Sequence, residues 1–145
     1  MKIFTIGFTK KSAERFFTIL RDSGAKRIVD VRLNNVSQLA GFAKKSDLEF
    51  FLREICKMNY VHEPLLAPTE DLLDAYKKNK GEWSEYERQF IELMKSRQIE
   101  MNVSRDTIDG ACLLCSEEKA DKCHRRLVAE YLAQHWGGIE IVHLV

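Results

Sequence analysis

The sequence predicts an α/β protein, a single three-layer domain over residues 1–145 with a mostly parallel sheet of about five strands and helices on both faces. Strand-like and helix-like segments alternate along the chain in the order βαβαβααβαβ. The strand-like segment ACLLC is almost wholly apolar, and RIVDV has an apolar centre, as in strands that helices cover on both faces. No repeat, linker or low-complexity tract divides the chain.

The amino-terminal segments predict a strand, a helix and a second strand. Lys2–Gly7 is rich in Ile and Phe and predicts the first strand. An apolar face over Ala13–Leu20 predicts a helix that ends at Gly24, and we interpret Thr9 as its N-cap. The apolar segment Arg27–Val31 predicts the second strand.

A polar segment without a clear period, residues 33–45, predicts a loop. Ser46–Glu49 matches a capping box and predicts the start of a helix whose apolar stripe runs to Cys56. Asn59–Glu63 predicts a third strand, which Pro64 closes.

Two helices are predicted in the middle of the chain. Thr69 is placed to cap a short helix that continues to about Asn79 and is broken by Gly81. Ser84–Glu87 is a second capping-box match and predicts the start of a longer helix. Residues 102–109 are polar and predict irregular structure.

The carboxy-terminal part predicts a strand, a loop and a helix, followed by a final strand. Ala111–Cys115 is the strand and residues 116–121 are the polar loop. A helical stripe begins at His124 and is terminated by Gly137, and Ile139–Leu144 predicts the last strand.

Composition and charge limit the classes of function. Apolar residues make up 45% of the 145 residues and charged residues 31%, which is typical of a globular protein. The net charge is +1 and the sequence pI about 7.7, whereas duplex-binding domains usually exceed about 9. The sequence contains no membrane span and no signal peptide, so we expect a cytoplasmic protein whose four cysteines are free, catalytic or metal-bound rather than disulfide-bonded.

Polar residues follow several predicted strands. In a parallel sheet Gly7–Thr9, Asp30–Arg32, His62–Glu63 and Cys115–Glu117 would all emerge at the same edge. That edge faces the amino end of the last long helix, where Cys123–Arg125 lie. We therefore expect the functional site there.

The sequence offers two candidate nucleophiles and one proton carrier. A thiolate at a helix N-terminus beside cationic residues can have a pKa of roughly 3.5–7.5, which makes Cys123 the first candidate and Cys115 the second. His124 is the candidate general acid or base. The alternatives are a buried thiol that starts the helix, with Asp121 as the N-cap, and a surface histidine.

Two arginines are candidates for anion recognition. The planar guanidinium groups of Arg32 and Arg125 suit bidentate contacts with phosphate or carboxylate. The alternative for Arg125 is an ion pair with Asp30 or Glu117. The alternative for Asp30 and Arg32 is a structural salt bridge.

The C-x-x-C pair of Cys112 and Cys115 is a weak indication of a metal. Residues three apart on a strand point to opposite faces, so we expect Cys112 in the core. The spacing of Cys115, Cys123 and His124 is also poor, because adjacent ligands on a helix seldom converge. We therefore predict no metal and no cofactor, with a structural zinc site left as an alternative.

The chain resembles the bacterial and archaeal "domain of unknown function 488" proteins over nearly its whole length. The resemblance rests on TIGFT at Thr5–Thr9, DVR at Asp30–Arg32, Phe42 with Leu48, Tyr60 with His62, LLCSEE at Leu113–Glu118, and Cys123-His124-Arg125. It implies a pocket formed by Gly7, Thr9, Asp30, Arg32, Cys115, Glu117, Cys123, His124 and Arg125, and no particular reaction. Thr9 stands where serine is usual and Asn34-Asn35 where proline is common. The DVR strand also resembles one strand of rhodanese-type sulfurtransferases.

Three hypotheses of function follow. The first is a small cytoplasmic enzyme, a cysteine-dependent transferase or hydrolase, that binds an anionic, phosphate-bearing ligand such as a nucleotide. The second is a non-catalytic module that binds a nucleotide or a nucleic-acid end in the same pocket, although the net charge does not favour nucleic acid. The third is a structural zinc-binding protein. None involves a membrane.

Overall fold

The computed structural model describes residues 1–35 and 41–145. Its centre is a sheet of five parallel strands in the spatial order β3-β2-β4-β1-β5. The strands are β1 (Lys2–Gly7), β2 (Arg27–Asp30), β3 (Asn59–His62), β4 (Ala111–Cys115) and β5 (Glu140–His143). The predicted α/β fold is confirmed.

Helices cover both faces of this sheet. They are α1 (Ala13–Ser23), α2 (Lys45–Phe51), α3 (Glu70–Lys77), α4 (Trp83–Arg97), α5 (Ile99–Asn102), α6 (Arg105–Ile108) and α7 (His124–Trp136). A π-helical turn, Leu52–Cys56, continues α2, and short 3₁₀ turns lie at Gly41–Ala43 and Pro64–Leu66. Within the described residues, no helix has both the length and the apolarity to cross a bilayer.

The sheet separates two apolar cores. Helices α1 and α2 pack on one face, and α3 to α7 supply the core on the other. Alternation along β4 sends Cys112 and Leu114 into the first core, and Leu113 and Cys115 into the second. The core position predicted for Cys112 is confirmed, and Cys115 faces α7.

Two helix starts depend on side-chain caps. The Ser12 side chain accepts a hydrogen bond from the Arg15 amide and caps α1, so the assignment of that cap to Thr9 is wrong. Thr69 caps α3 as predicted, accepting from the Leu72 amide at 3.2 Å.

Neither predicted capping box forms. Helix α2 begins at Lys45, so Ser46 lies inside its first turn, and the residue before Lys45 makes no side-chain cap. Helix α4 begins at Trp83, which places Ser84 inside that helix as well. Trp83 packs against Tyr76 and Tyr86, so tertiary contacts accompany the earlier start of α4.

Irregular structure was predicted for two segments that contain ordered turns. Residues 102–109 include α6, and Ile99 and Ile108 anchor α5 and α6 in the core. Four-residue helices are too short to show a hydrophobic period. In the predicted loop 33–45 the structure forms the 3₁₀ turn at 41–43, while residues 36–40 lie outside the described residues.

Candidate functional site at the carboxyl edge of the sheet

A cavity of about 210 Å³, here called the edge cleft, opens at the carboxyl ends of the strands. The lining residues come from the ends of β2 and β4, from α3 and α4, and from the start of α7. They are Arg32, Leu33, Asn34, Pro68, Leu73, Tyr76, Lys77, Trp83, Tyr86, Cys115, Ser116, Glu117, Lys122, Cys123 and His124. This is the edge at which the parallel topology was expected to bring polar residues together.

Two thiols and an imidazole form a buried cluster that borders the edge cleft. Cys115 ends β4, Cys123 is the N-cap residue of α7, and His124 is the first residue of that helix. Their side chains are only 2–6% exposed, and the two sulfurs and a ring nitrogen all lie within 4.8 Å of one another. We call these three residues the thiol–imidazole cluster. The prediction that they would not converge is wrong, because the N-cap position turns Cys123 towards the strand end.

The orientation of the His124 ring is set by a backbone carbonyl. Nε2 lies 2.7 Å from the Val31 carbonyl oxygen, which can only accept, so Nε2 carries a hydrogen. Cys115 Sγ lies 3.5 Å from Nδ1 and 3.9 Å from Nε2. The Phe90 ring packs on the imidazole with a centroid distance of 5.3 Å. Nδ1 is therefore the ring nitrogen nearer to the sulfur, and proton exchange between them requires a side-chain rotation.

The two thiols of the cluster have opposite pKa shifts. A hydrogen bond from the Cys123 thiol, helped by the Ser116 amide and the charge of Arg125, lowers the pKa of Cys115 against the effect of its burial. Burial, and then hydrogen bonding to Cys115, raise the pKa of Cys123. The expectation that Cys123 has the lowered pKa is therefore wrong: a thiolate is stabilised at Cys115 and disfavoured at Cys123.

A second buried network holds Arg32 at the side of the edge cleft. Both oxygens of the Asp30 carboxylate accept from its guanidinium, at 2.8 and 2.7 Å, and the Tyr60 hydroxyl also donates to Asp30. The structural salt bridge between Asp30 and Arg32 is thus present. Arg32 Nη1 is buried and has no hydrogen-bond partner within residues 1–35 and 41–145, as is also true of Arg125 Nε.

Arg125 has a different environment from Arg32. It is fully buried, and its Nη1 and Nη2 donate to the backbone carbonyls of Glu117 and Glu118 at 2.6 and 3.3 Å. Neither ion pair proposed for Arg125 forms in the described part of the chain. A Cβ at Gly7 would lie 1.6 Å from the Glu117 carbonyl oxygen, so only glycine permits this close approach.

The loop that follows β4 is held in place by contacts with Arg125, Gly7 and the Thr9 amide. The Thr9 amide donates to the Ser116 carbonyl at 3.0 Å, beside the Arg125 contacts. This loop brings Ser116 and Glu117 to the edge cleft. Gly7, Thr9 and Arg125 therefore position the site rather than line it.

The outer part of the edge cleft combines basic and aromatic side chains. Lys122 is exposed, and Lys77 pairs with Glu117. Tyr76, Trp83 and Tyr86 pack on one another on the α3–α4 side, with Trp83 stacked on Tyr86 at 5.3 Å. Sequence reasoning did not select the three aromatic residues or Lys77 because they are far from the strand ends along the chain, and α3 and α4 bring them to the cleft.

Residues 12–132 match the family described as "Domain of unknown function DUF488". The chain belongs to this family. The matched segment includes β2, β4 and the thiol–imidazole cluster, while β1 lies before it. Comparisons with curated proteins and with solved structures found no match.

The DUF488 chain brings only part of the expected pocket to the edge cleft. Arg32, Cys115, Glu117, Cys123 and His124 line it. Gly7, Thr9, Asp30 and Arg125 do not line it and act through hydrogen bonds or close packing behind it.

The thiol–imidazole cluster of this DUF488 protein is also its candidate metal-ligand set. Within the described residues, no other group of three or more His, Cys, Asp or Glu side chains has this convergence. Cys112 does not contribute, because it faces the opposite core. Cys56, the remaining cysteine, is half-buried against that same core and donates to the Phe17 carbonyl.

Proposed function

We propose that this protein is a transferase or hydrolase that acts on a small anionic, phosphate-bearing molecule, with a nucleotide as the favoured class. One observation carries the proposal. Cys115 Sγ lies 3.5 Å from His124 Nδ1 at a cleft that Arg32 also lines. In the proposal these three side chains of one cavity act as the thiolate-forming sulfur, the proton carrier and the anion-binding cation.

In the proposed reaction Cys115 is the nucleophile and His124 carries the proton. The Cys115 thiol gives its proton to Nδ1, and the sulfur forms a bond to the electrophilic carbon or phosphorus of the substrate. The bond to the leaving group breaks, and that group takes the proton from His124. Water, or a second substrate, then breaks the bond to sulfur and returns a proton through His124.

Anion recognition is assigned to Arg32 and Lys122. Arg32 has a donor without a partner in the described structure, held rigidly by Asp30, and Lys122 adds a solvent-facing charge. Tyr76 and Trp83 favour a ligand that also carries an aromatic base, because bases stack on aromatic side chains. These contacts support a nucleotide over inorganic phosphate alone.

Thiol reactivity tests the catalytic part of the proposal. The metal-free protein is treated with iodoacetamide between pH 6 and 9, and alkylation of each cysteine is followed by mass spectrometry. Because burial raises the pKa of Cys56, we expect Cys115 to react at a lower pH than this internal control. A Cys115 profile at the same or higher pH than that of Cys56 would overturn the assignment of Cys115 as nucleophile.

Binding of inorganic phosphate and of adenosine monophosphate tests the anion site. We expect Lys122→Gln to weaken both affinities by about 2–5-fold in calorimetric titrations, the effect of one solvent-exposed charge. Lys119→Gln is the matched control, since Lys119 is exposed in the same loop but does not line the edge cleft. Equal affinities for both variants would contradict the site. Anion binding without a reactive Cys115 would support the non-catalytic module instead.

The proposed location is the cytoplasm. All four cysteines are free thiols, which a reducing compartment maintains. Recovery of the protein with oxidised cysteines from its native cell would contradict this location.

A further inference from the structure

We infer that Cys115, Cys123 and His124 bind one Zn²⁺ ion, with the fourth coordination position facing the edge cleft. This inference goes beyond the proposed function, because it concerns a ligand of the protein and not its substrate. It reverses the expectation from spacing that these residues hold no metal.

The separation of the ligand atoms fits tetrahedral zinc. Zn–S bonds of about 2.3 Å and Zn–N bonds of about 2.0–2.1 Å at a tetrahedral angle place sulfur and nitrogen about 3.5–3.6 Å apart. Cys115 Sγ and His124 Nδ1 are 3.5 Å apart. All three ligand atoms lie within 4.8 Å of one another, so Cys123 Sγ needs only a small movement to complete the set.

The imidazole of His124 already makes the second contact that is typical of a zinc ligand. Zinc-binding histidines usually donate their second ring N–H to a carbonyl or carboxylate, which fixes the tautomer. The contact of Nε2 with the Val31 carbonyl at 2.7 Å is such a contact. Cys115 Sγ lies 3.5 Å from Nδ1 and 3.9 Å from Nε2, so a side-chain movement is needed to place it and the Nδ1 lone pair on one metal ion.

The donor set and its surroundings select the metal. Two thiolates and one imidazole are soft or borderline ligands that suit zinc and not magnesium or calcium. Three protein ligands leave one position for water or substrate, as in the Cys₂His sites of zinc enzymes. The edge cleft provides that position, because all three residues line it.

Zinc binding and thiolate chemistry exclude each other at this cluster. In the zinc-bound protein both sulfurs are ligands, so Cys115 cannot attack a substrate or iodoacetamide. Only the metal-free protein can carry out the reaction proposed above. Zinc binding and Cys115 reactivity are therefore measured on two different forms of the protein. Either measurement can fail while the other succeeds.

Metal content gives the direct test. Untagged protein is stripped with a chelator, incubated with Zn²⁺, desalted and analysed by mass spectrometry of the metal, and a Co²⁺ sample is examined for thiolate-to-metal charge transfer in the near ultraviolet. We expect one Zn²⁺ per chain and the charge-transfer band. Metal well below one per chain, or a Co²⁺ spectrum without this band, would overturn the site.

Variants identify the ligands. We expect Cys115→Ser and Cys123→Ser each to lower Zn²⁺ affinity by at least about 100-fold, since loss of an outer contact alone costs 10–100-fold. Cys56→Ser, a half-buried thiol on the other face of the sheet, should bind as the unmodified protein does. An equal loss of Zn²⁺ affinity in Cys56→Ser, or no loss in Cys115→Ser and Cys123→Ser, would contradict the assignment of the ligands.

A measurement without substitution covers the case in which a cluster variant does not fold. Zn²⁺ should protect Cys115 from alkylation in the unmodified protein and leave Cys56 reactive. Equal alkylation of Cys115 with and without Zn²⁺ would exclude the site.

Discussion

Arg32 and Arg125 show how burial and partners give the same side chain different roles. Arg32 makes two parallel hydrogen bonds to the Asp30 carboxylate, so its charge is paired, and Arg32 lines the edge cleft. Arg125 donates to two backbone carbonyls in full burial. Arg32 therefore lies where the proposed anion would bind, and Arg125 stabilises a loop.

Replacement of Gly7 tests the close packing of the loop after β4 against this glycine. We expect Gly7→Ala to lower the free energy of unfolding by about 2–3 kcal/mol, because the new Cβ would overlap the Glu117 carbonyl oxygen at 1.6 Å. Urea denaturation measures this change. Gly41→Ala, where a Cβ would meet no atom of residues 1–35 and 41–145 within 4 Å, should change stability by no more than about 0.5 kcal/mol. Similar values for the two variants would contradict the close approach.

Among the secondary-structure elements, β4 and α7 supply the thiol–imidazole cluster, and α1 shows how the sequence specifies a helix start. The alternation of β4 directs one cysteine to each core, which separates Cys112 from Cys115, the proposed nucleophile. Helix α1 begins where a serine side chain accepts an amide hydrogen and ends at Gly24, which has a φ of 83°.

Two serine substitutions distinguish a real cap from an apparent one. Ser12→Ala should lower the free energy of unfolding by about 1 kcal/mol, because the Arg15 amide loses its acceptor. Ser46→Ala should be neutral or stabilising by up to about 0.5 kcal/mol, since Ser46 lies inside α2 and is exposed there. Thermal denaturation of both variants provides the comparison. A larger loss for Ser46→Ala would mean that the capping box forms in solution.

In the molecule as a whole, the sheet separates a core with a structural role from a core that also supports the site. Phe16, on α1, is buried in one core and does not line the edge cleft, whereas Phe90 is buried on the other face and packs on His124. Removal of the same apolar volume from either core should therefore affect the reactivity of Cys115 differently.

Matched phenylalanine substitutions test this separation. Phe16→Leu and Phe90→Leu should each lower the free energy of unfolding by about 1–2 kcal/mol, because both rings are fully buried. Only Phe90→Leu should also change the pH profile of Cys115 alkylation, since it removes a ring that orients His124. The same profile change in both variants would indicate that the two cores are not independent.

The parallel sheet and the edge at which the site lies were predictable from local patterns. Apolar runs such as Ala111–Cys115 identify buried strands, and alternation of strands with helices requires parallel pairing. That pairing brings the DVR segment and the start of α7 to one edge. The sequence did not distinguish the caps at Ser46 and Thr69, because both residues match a capping pattern. Only contacts with the rest of the chain decide that the cap forms at Thr69 and not at Ser46.

The order of residues along the chain thus specifies the strands, the faces they bury and the edge where polar groups collect, because these follow from periods of two and 3.6 residues and from chirality. The roles of individual groups depend on the three-dimensional fold. Which cysteine has the lowered pKa, which arginine lines the cleft, and whether two sulfurs and an imidazole converge all depend on burial and on hydrogen-bond partners distant along the chain. Such contacts leave no periodic pattern in the sequence, and only the packed structure brings them together.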